Sequence, residues 1–532
     1  MAFSQHDRDV PATTARRFSR KLGLNELSYY LPSRAYGLND MFTRVIFRSP
    51  PALVSPYRLQ IVWAIIRVRN SLLASKIDMA PGCYDDARFI YTPPASPMHA
   101  LEEASHSLTI HDYKTGPELD DDFITGRRKL SAQCLSRMDV ARHREVPSGN
   151  DEFHLALTVF HAITDGSSGN GNRILMLLGG SNTPGGPPRT DGELLKILEL
   201  EWSWRWGQPR LALSPLAFEV ITPSAEARLP RPRTKFQAAA LKIDFMNLQR
   251  QAIGGHTFPR IPSQVTNQTL VEVKFDRAQT TALLSKCEAE GVTLQNTVFA
   301  LCNFAWIRTA ANHPEISAPK TLPMLFYTAI SLRRHLAAIA PLTSAMVLAL
   351  GYGNIVLPAF IPSSADPSAM FWLRARSVQL QMRKQTQSPL LLGRAQILSA
   401  ERARRAKVFA RQDDEANGTL PPNPPRTQGQ PPLAPATVPS VALMGISHLG
   451  DLTASYQPED YPPIEFLDSV GHSRKAKGGI LLFTRSAQGC FSMMLEWDST
   501  AFPAGLVEEF WSYCIGGVDE FILGQPRLQS RL

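Results

Sequence analysis

At 532 residues, with 44% hydrophobic and 19% charged side chains, the chain is long enough for two large cores and too apolar to be disordered throughout. Its net charge of +9 attracts anions, yet no zinc-finger spacing and no basic region fused to heptads accompanies it, so nucleic acid is not expected as a partner. The six cysteines, Cys83, Cys134, Cys287, Cys302, Cys490 and Cys514, form no C-x-x-C pair, which suggests neither a metal site nor a disulfide framework and points to a reducing compartment.

The first 22 residues read as a tail, with charges from the start and no apolar run that would mark a secretory signal. Between Glu26 and Ser75 the apolar positions Leu59, Ile61, Val62, Ile65, Ile66 and Val68 predict a helix ending before Ile77. Phe153, Leu155, Leu157, Val159 and His161 then alternate along one face of a strand, with His161 at its end. His154 falls on the opposite face, which argues against a two-histidine site. The run Asp165-Gly-Ser-Ser-Gly-Asn-Gly is loop chemistry, and the residues from Arg173 onward read as the helix it feeds.

Glycine and proline fill the stretch from Gly179 to Gly192, and prolines recur from Leu213 to Lys235. We therefore expect a linker over 213–240 between an N-terminal half, 23–212, and a C-terminal half, 241–529. The second half opens with an alternating strand at Thr269 to Phe275, a helix from Asp276 to Glu290 stopped by Gly291, and an apolar helix from Thr293 to Trp306. Strand-like runs recur at Met324, Val441, Gly479 and Phe491. Mixed α and β in both halves give an α/β protein.

Leu336 to Ala365 carries no charge and is long enough to cross a bilayer, but Pro341, Gly351, Gly353, Pro358 and Pro362 interrupt it, so a buried helix, a turn and a strand are expected and no transmembrane segment. Arg402 to Arg411 is a basic run, followed over 412–440 by eight prolines between Pro421 and Pro439, which reads as a disordered surface insertion.

The chemistry concentrates in His161-Ala-Ile-Thr-Asp165-Gly166. A hydroxyl is a poor nucleophile at neutral pH, and an imidazole with a pKa of about 6.5 takes its proton as it attacks; no metal or cofactor is needed. With a strand running into His161 and a glycine-rich turn leaving Asp165, the motif resembles the His-x-x-x-Asp-Gly signature of the acyl-CoA-dependent acyltransferases related to condensation domains and chloramphenicol acetyltransferase, in particular their fungal members. Further likeness lies in Gly291-Val-Thr-Leu-Gln-Asn-Thr-Val-Phe-Ala-Leu, in Ser331-Leu-Arg333, in Gly353-Asn354 and in Ser447-His448-Leu-Gly450, where His448 replaces an asparagine. The Asp-Phe-Gly-Trp-Gly motif of plant members is missing, and the region around Gly471-His-Ser-Arg stands in its place.

The resemblance implies two similar-sized domains, each a mixed sheet with packed helices, and a channel between them with His161 at its middle. It implies transfer from an acyl-CoA donor to a hydroxyl by a monomeric enzyme, with His161 as general base, Asp165 orienting the loop through an arginine from elsewhere in the fold, and Gly166 keeping the channel clear. Asn354, Ser447 and His448 are the candidates for the oxyanion site. Arg402, Arg404, Arg405 and Lys407 are the candidates for holding the coenzyme A phosphates.

The last three residues, Ser530-Arg531-Leu532, are a conservative variant of the Ser-Lys-Leu address read by the peroxisomal import receptor, with the cytoplasm as the alternative location. A peroxisomal, fungal-type acyltransferase resembles the enzymes that acylate sugar hydroxyls of mannosylerythritol glycolipids. Acetylation of a terpenoid or polyketide alcohol, as in trichothecene acetyltransferases, is the nearest rival. A non-catalytic binding module, or condensation of carrier-bound peptides, is a third reading, weakened by the intact His161 and by the lack of a carrier attachment sequence.

Overall fold

The computed structural model describes residues 16–143, 149–166, 170–207, 220–263, 265–316, 321–339, 346–421 and 440–524. Fourteen strands are seen among them: β1 (Phe18–Lys21), β2 (Met41–Ser49), β3 (Lys76–Asp78), β4 (Arg88–Tyr91), β5 (Leu108–His111), β6 (Ser136–His143), β7 (Asp151–Val159), β8 (Gln268–Phe275), β9 (Met324–Ser331), β10 (Leu350–Leu357), β11 (Met444–Asp451), β12 (Glu465–Ser473), β13 (Ile480–Ala487) and β14 (Cys490–Asp498). They form a five-stranded sheet in the order β12-β2-β7-β6-β5, a six-stranded sheet in the order β10-β9-β11-β13-β14-β8, and a small sheet β1-β4-β3. Both large sheets are mixed: β5 runs parallel to β6, and β11 runs parallel to both β9 and β13. This is the α/β architecture of two sheet-and-helix bodies expected from the sequence.

Local chemistry explains the elements. In β7 the faces alternate as the sequence requires, with Phe153, Leu155, Leu157 and Val159 in the first core beside Trp63 and Ile174. The helix Pro56–Arg69 starts at Ser55, whose side chain accepts the Arg58 N–H, with proline at the first helical position. Asp276 and Gln279 close a capping box on the helix Arg277–Ala289, and Gly291 follows at φ +69°, a conformation that side chains with a Cβ resist. The helix Leu294–Asn312 is apolar nearly all round because it is buried in the second core, where Phe299 meets Phe326 and Phe304 meets Phe371.

The structure departs from the sequence reading around β2 and at the basic run, and agrees with it at the uncharged segment. Strand β2 and the helix Leu24–Tyr36 occupy the region read as a single helical pattern. The uncharged segment contributes the helix Arg333–Ile339 and strand β10, and among the described residues no helix is long and apolar enough to cross a membrane. The basic run is part of a helix, Leu391–Ala416, that packs on Leu24–Tyr36, with Ala403, Ala406 and Ala410 in the same core as Leu27, Tyr30 and Leu31. Residues 422–439 of the expected insertion lie outside the described residues, as do 213–219 of the expected linker, whose end instead enters the helix Lys235–Gln251.

The two bodies are not separate in the chain. Strand β12 belongs to the second half of the sequence but pairs antiparallel with β2, from Glu465 opposite Arg48 to Ser473 opposite Met41, and so forms the edge of the first sheet. At its end a buried charge network ties the bodies together. His472 Nδ1 lies 2.8 Å from Glu496 Oε1 and its Nε2 3.7 Å from Asp120, while Lys475 Nζ lies 2.5 Å from the other Glu496 oxygen. Arg44 donates to both Asp120 oxygens at 2.8 and 2.5 Å. The Gly471-His-Ser-Arg segment is thus the joint between the bodies.

Burial alone would neutralise these groups, and the opposing charges outweigh it. The Glu496 carboxylate, which accepts from His472 Nδ1, and the nearby Asp120 carboxylate push the His472 pKa up to about 9, and Lys475 and His472 hold Glu496 below the usual carboxylate range. The protonated His472 is favoured in the folded state, so its stabilisation is complete below about 6.5 and is lost as the pH rises through about 9. The depressed carboxylates act oppositely: their stabilisation is present above their ordinary range and is lost in acid. Thermal unfolding followed across pH should show an alkaline decline that His472→Gln removes; a decline of unchanged slope in the variant would refute this account.

Candidate active site

Strand β7 ends at Val159, and His161 opens the turn His161–Ile163 that follows. Its Nδ1 lies 2.8 Å from the Thr164 carbonyl oxygen. A carbonyl only accepts, so Nδ1 carries the proton and Nε2 keeps the lone pair. The imidazole packs against Tyr29 of the helix Leu24–Tyr36, with ring centroids 4.3 Å apart and the planes tilted by 36°. Burial pulls its pKa below the ordinary histidine value, Asp165 opposes that shift, and the positive charge of Arg402 adds to it. At neutral pH the ring is therefore uncharged and ready to take a proton.

Asp165 does not touch the imidazole nitrogen that Thr164 holds. Its Oδ1 accepts from Arg333 Nε at 2.9 Å, and its Oδ2 accepts the Ala349 N–H at 3.0 Å. Arg333 also donates through Nη2 to the Val347 carbonyl at 2.9 Å. Asp165 is 1% exposed and the Arg333 side chain 15%, so the pair is a buried clamp between the loop after β7 and the segments flanking β9 and β10. Arg333 stood in a segment singled out in the sequence, but its pairing with Asp165 was not legible there.

Gly166 borders a cavity of about 200 Å³ together with Thr164, Val45, Leu157, Leu449, Phe483 and His472. A Cβ at Gly166 would approach within 3.2 Å of the Leu449 side chain, at the junction of the loop and the cavity. The walls come from the first sheet, from the second sheet and from β12, so the cavity runs between the two bodies beside the His161 loop, and most of its lining is apolar.

The remaining candidates are spread more widely. Ser447 is in register with the cavity-lining Phe483. His448 lies one residue on, its Nδ1 2.6 Å from Thr484 Oγ1 and its ring edge-on to Phe299 of the second core at 5.6 Å, and burial drops its pKa to about 4. That packing turns its half-buried ring toward the second core. Asn354 is bracketed through its backbone by Gln385, which accepts its N–H at 3.2 Å and donates to its carbonyl at 2.7 Å. His154 sits beside Arg44 at 2.9 Å, with its pKa lowered to about 4 by burial and by that charge.

The four bases grouped as a phosphate site do not form one patch. Arg404 and Arg405 are exposed and paired with Glu401, and Lys407 is paired with Asp85. Arg402 points inward from the same helix and lies over the rings of Tyr29 and Tyr352. Helical period separates Arg402 from Arg404, since two residues along a helix turn the side chain by about 200°. Among the described residues no group of His, Cys, Asp and Glu is arranged to hold a metal. Tyr29, Tyr352 and Arg402 are the site residues that motif reading missed or misplaced.

No protein-family model matches the chain, and no curated protein matches it in sequence. Solved structures do match in fold. Trichothecene 15-O-acetyltransferase from Fusarium sporotrichioides superposes with a TM-score of 0.67 at 11% identity, covering 96% of this chain and 95% of that one. Polyketide synthase associated protein 5 from Mycobacterium tuberculosis gives 0.51 at 16%, covering 94% and 97%, and the cyclization-docking bidomain of a nonribosomal peptide synthetase from Sorangium cellulosum gives 0.53 at 11%, covering 96% and 86%. At these identities the likeness establishes the fold: the two-body architecture shared by condensation domains and chloramphenicol acetyltransferase-like proteins.

Proposed function

We propose that the protein is an O-acyltransferase that moves an acyl group from a coenzyme A thioester to a hydroxyl, with His161 as general base and no cofactor. The observation that carries this is the tautomer fixed by the Thr164 carbonyl, which leaves a basic Nε2 on an uncharged ring, in the loop whose Thr164 and Gly166 line an interbody cavity. The hydroxyl proton passes to Nε2 as the oxygen attacks the thioester carbon. The tetrahedral intermediate collapses with cleavage of the carbon–sulfur bond, and the imidazolium returns the proton to the departing thiolate. We take Ser447, in register with the cavity-lining Phe483, as the donor to the oxyanion in preference to His448, whose ring packs against Phe299.

The apolar cavity suits an acyl chain longer than acetyl. The reading is tested by following thiol release from acetyl-, octanoyl- and palmitoyl-CoA in the presence of a mannosylerythritol lipid, the glycolipid acceptor, and of a trichothecene alcohol, its rival. Acceptor-dependent release, faster with octanoyl- than with acetyl-CoA, is the expected result. Absence of release with every donor, from uncharged and carboxylate-bearing alcohols alike, would count against the enzyme reading in favour of a binding module. The peroxisomal location rests on Ser530-Arg531-Leu532, which lie outside the described residues. A fluorescent protein carrying that tripeptide at its end should mark peroxisomes, and a diffuse signal would remove the proposal.

A further inference from the structure

The helix Leu391–Ala416 carries six bases, and five have a carboxylate: Arg394 pairs with Asp244, Arg404 and Arg405 with Glu401, Lys407 with Asp85, and Arg411 with Glu415. Arg402 is the exception. Its guanidinium carbon stands 5.1 Å from the Tyr29 ring centroid and 4.2 Å from that of Tyr352, and the hydroxyls of these two tyrosines are hydrogen-bonded to each other. Tyr327 completes the surroundings. No carboxylate among the described residues reaches Arg402, and its Nε has no hydrogen-bond partner.

Arg402 and Tyr352 are half-buried and Tyr327 is 42% exposed, so the guanidinium gives up part of its hydration without gaining a counterion, at a place that solvent still reaches. Burial pushes the phenol pKa values of Tyr327 and Tyr352 up, so these are neutral hydroxyls and not counterions. Contact with two ring faces offsets part of the desolvation of a guanidinium, and an anion offsets far more. The charge also weakens the neighbouring base, since it makes His161 harder to protonate. Both penalties are relieved when a negative group occupies the site.

We propose that Arg402 is the anion-binding residue of the acceptor subsite and that the acceptor is a hydroxylated carboxylic acid, its carboxylate held at Arg402 while its hydroxyl reaches His161. This rests on the acyl-transfer reading above. Tyr29 touches both His161 and Arg402, so a short spacer between carboxylate and hydroxyl spans them. A carboxylate fits better than a phosphate because one base then meets one charge, and the planar fork of a guanidinium matches a carboxylate in two hydrogen bonds. An uncharged glycolipid leaves Arg402 unpaired, so within the acyl-transfer reading this class of acceptor takes precedence over the glycolipid.

Benzoate and methyl benzoate serve as binding probes, and 4-(hydroxymethyl)benzoate and its methyl ester as acceptors. Benzoate should bind the full-length wild type with a saturable rise in unfolding temperature, and methyl benzoate should not. Arg402→Met should weaken benzoate about tenfold or more, the scale of a lost charge-assisted pair, while Arg402→Lys retains much of it. Because binding needs no catalysis, His161→Ala should bind benzoate as the wild type does, which separates failure of this proposal from failure of the acyl-transfer reading. In turnover, the acid should exceed its ester in kcat/KM, the excess should vanish in Arg402→Met, and the acidic limb of the kcat profile, which reports the complex, should lie at higher pH with the acid than with the ester. Equal binding of benzoate by wild type and Arg402→Met, or no binding by either, overturns the proposal.

Discussion

Replacing His161 with alanine is expected to lower acyl transfer about 10²- to 10⁴-fold, the usual worth of a positioned general base, while leaving the protein folded. The imidazole makes one hydrogen bond to a backbone carbonyl and one ring contact with Tyr29, so its loss removes little packing. His161→Gln is the more searching variant, because its amide nitrogen can reach the Thr164 carbonyl and restore the local structure without a base. Both should be inactive to a similar degree. The wild-type pH profile provides a second readout: since burial and Arg402 lower the pKa of His161, kcat/KM should hold steady as the pH falls through 6.5 and decline only below it. A glutamine variant with near-normal transfer would remove His161 from the mechanism.

Breaking the Asp165–Arg333 pair is expected to act mainly on stability. Asp165→Ala leaves the Arg333 guanidinium without its carboxylate and the Ala349 N–H without an acceptor, and Arg333→Ala strands a carboxylate that is only 1% exposed. Each should cost about 3–5 kcal/mol, read as a shift in the chemical denaturation midpoint, and the double variant should cost much less than the two together. Transfer should fall as well, because Asp165 anchors the loop whose Thr164 carbonyl sets the imidazole tautomer, but the shape of the pH profile should not change. If Asp165→Asn keeps wild-type stability while shifting the acidic limb, Asp165 acts on the proton and not on the loop.

Strand β7 was legible in the sequence because its alternation is local: Phe153, Leu155, Leu157 and Val159 point into one core whatever the rest of the chain does. The capped helices at Arg277–Ala289 and Leu294–Asn312 were legible for the same reason. Strand β2 was not, since its pattern of buried and half-buried residues makes sense only once β7 and β12 flank it. The pairing of Asp165 with Arg333 joins residues 168 positions apart and leaves no local trace. Arg402 was misplaced for a different reason. A run of bases suggests a solvated surface, but the small residues Ala395, Ser399, Ala403, Ala406 and Ala410 form a helical seam, and Arg402, adjacent to that seam, turns inward while Arg404 turns out. Reading the small residues before the charges would have found it.

The place of β12 has a bearing on how the chain is made. Until Glu465–Ser473 leaves the ribosome, the β2 edge of the first sheet, Met41–Ser49, has no partner along its outer side. With elongation at about 5–20 residues per second, roughly 20–80 s separate the synthesis of that edge from the arrival of the strand that covers it. Throughout that interval the nascent amino-terminal body presents an open row of amide and carbonyl groups able to pair with another chain. Slowed translation or truncation ahead of β12 should therefore yield aggregated product rather than a soluble half-protein, and supplying the missing strand in trans should rescue it.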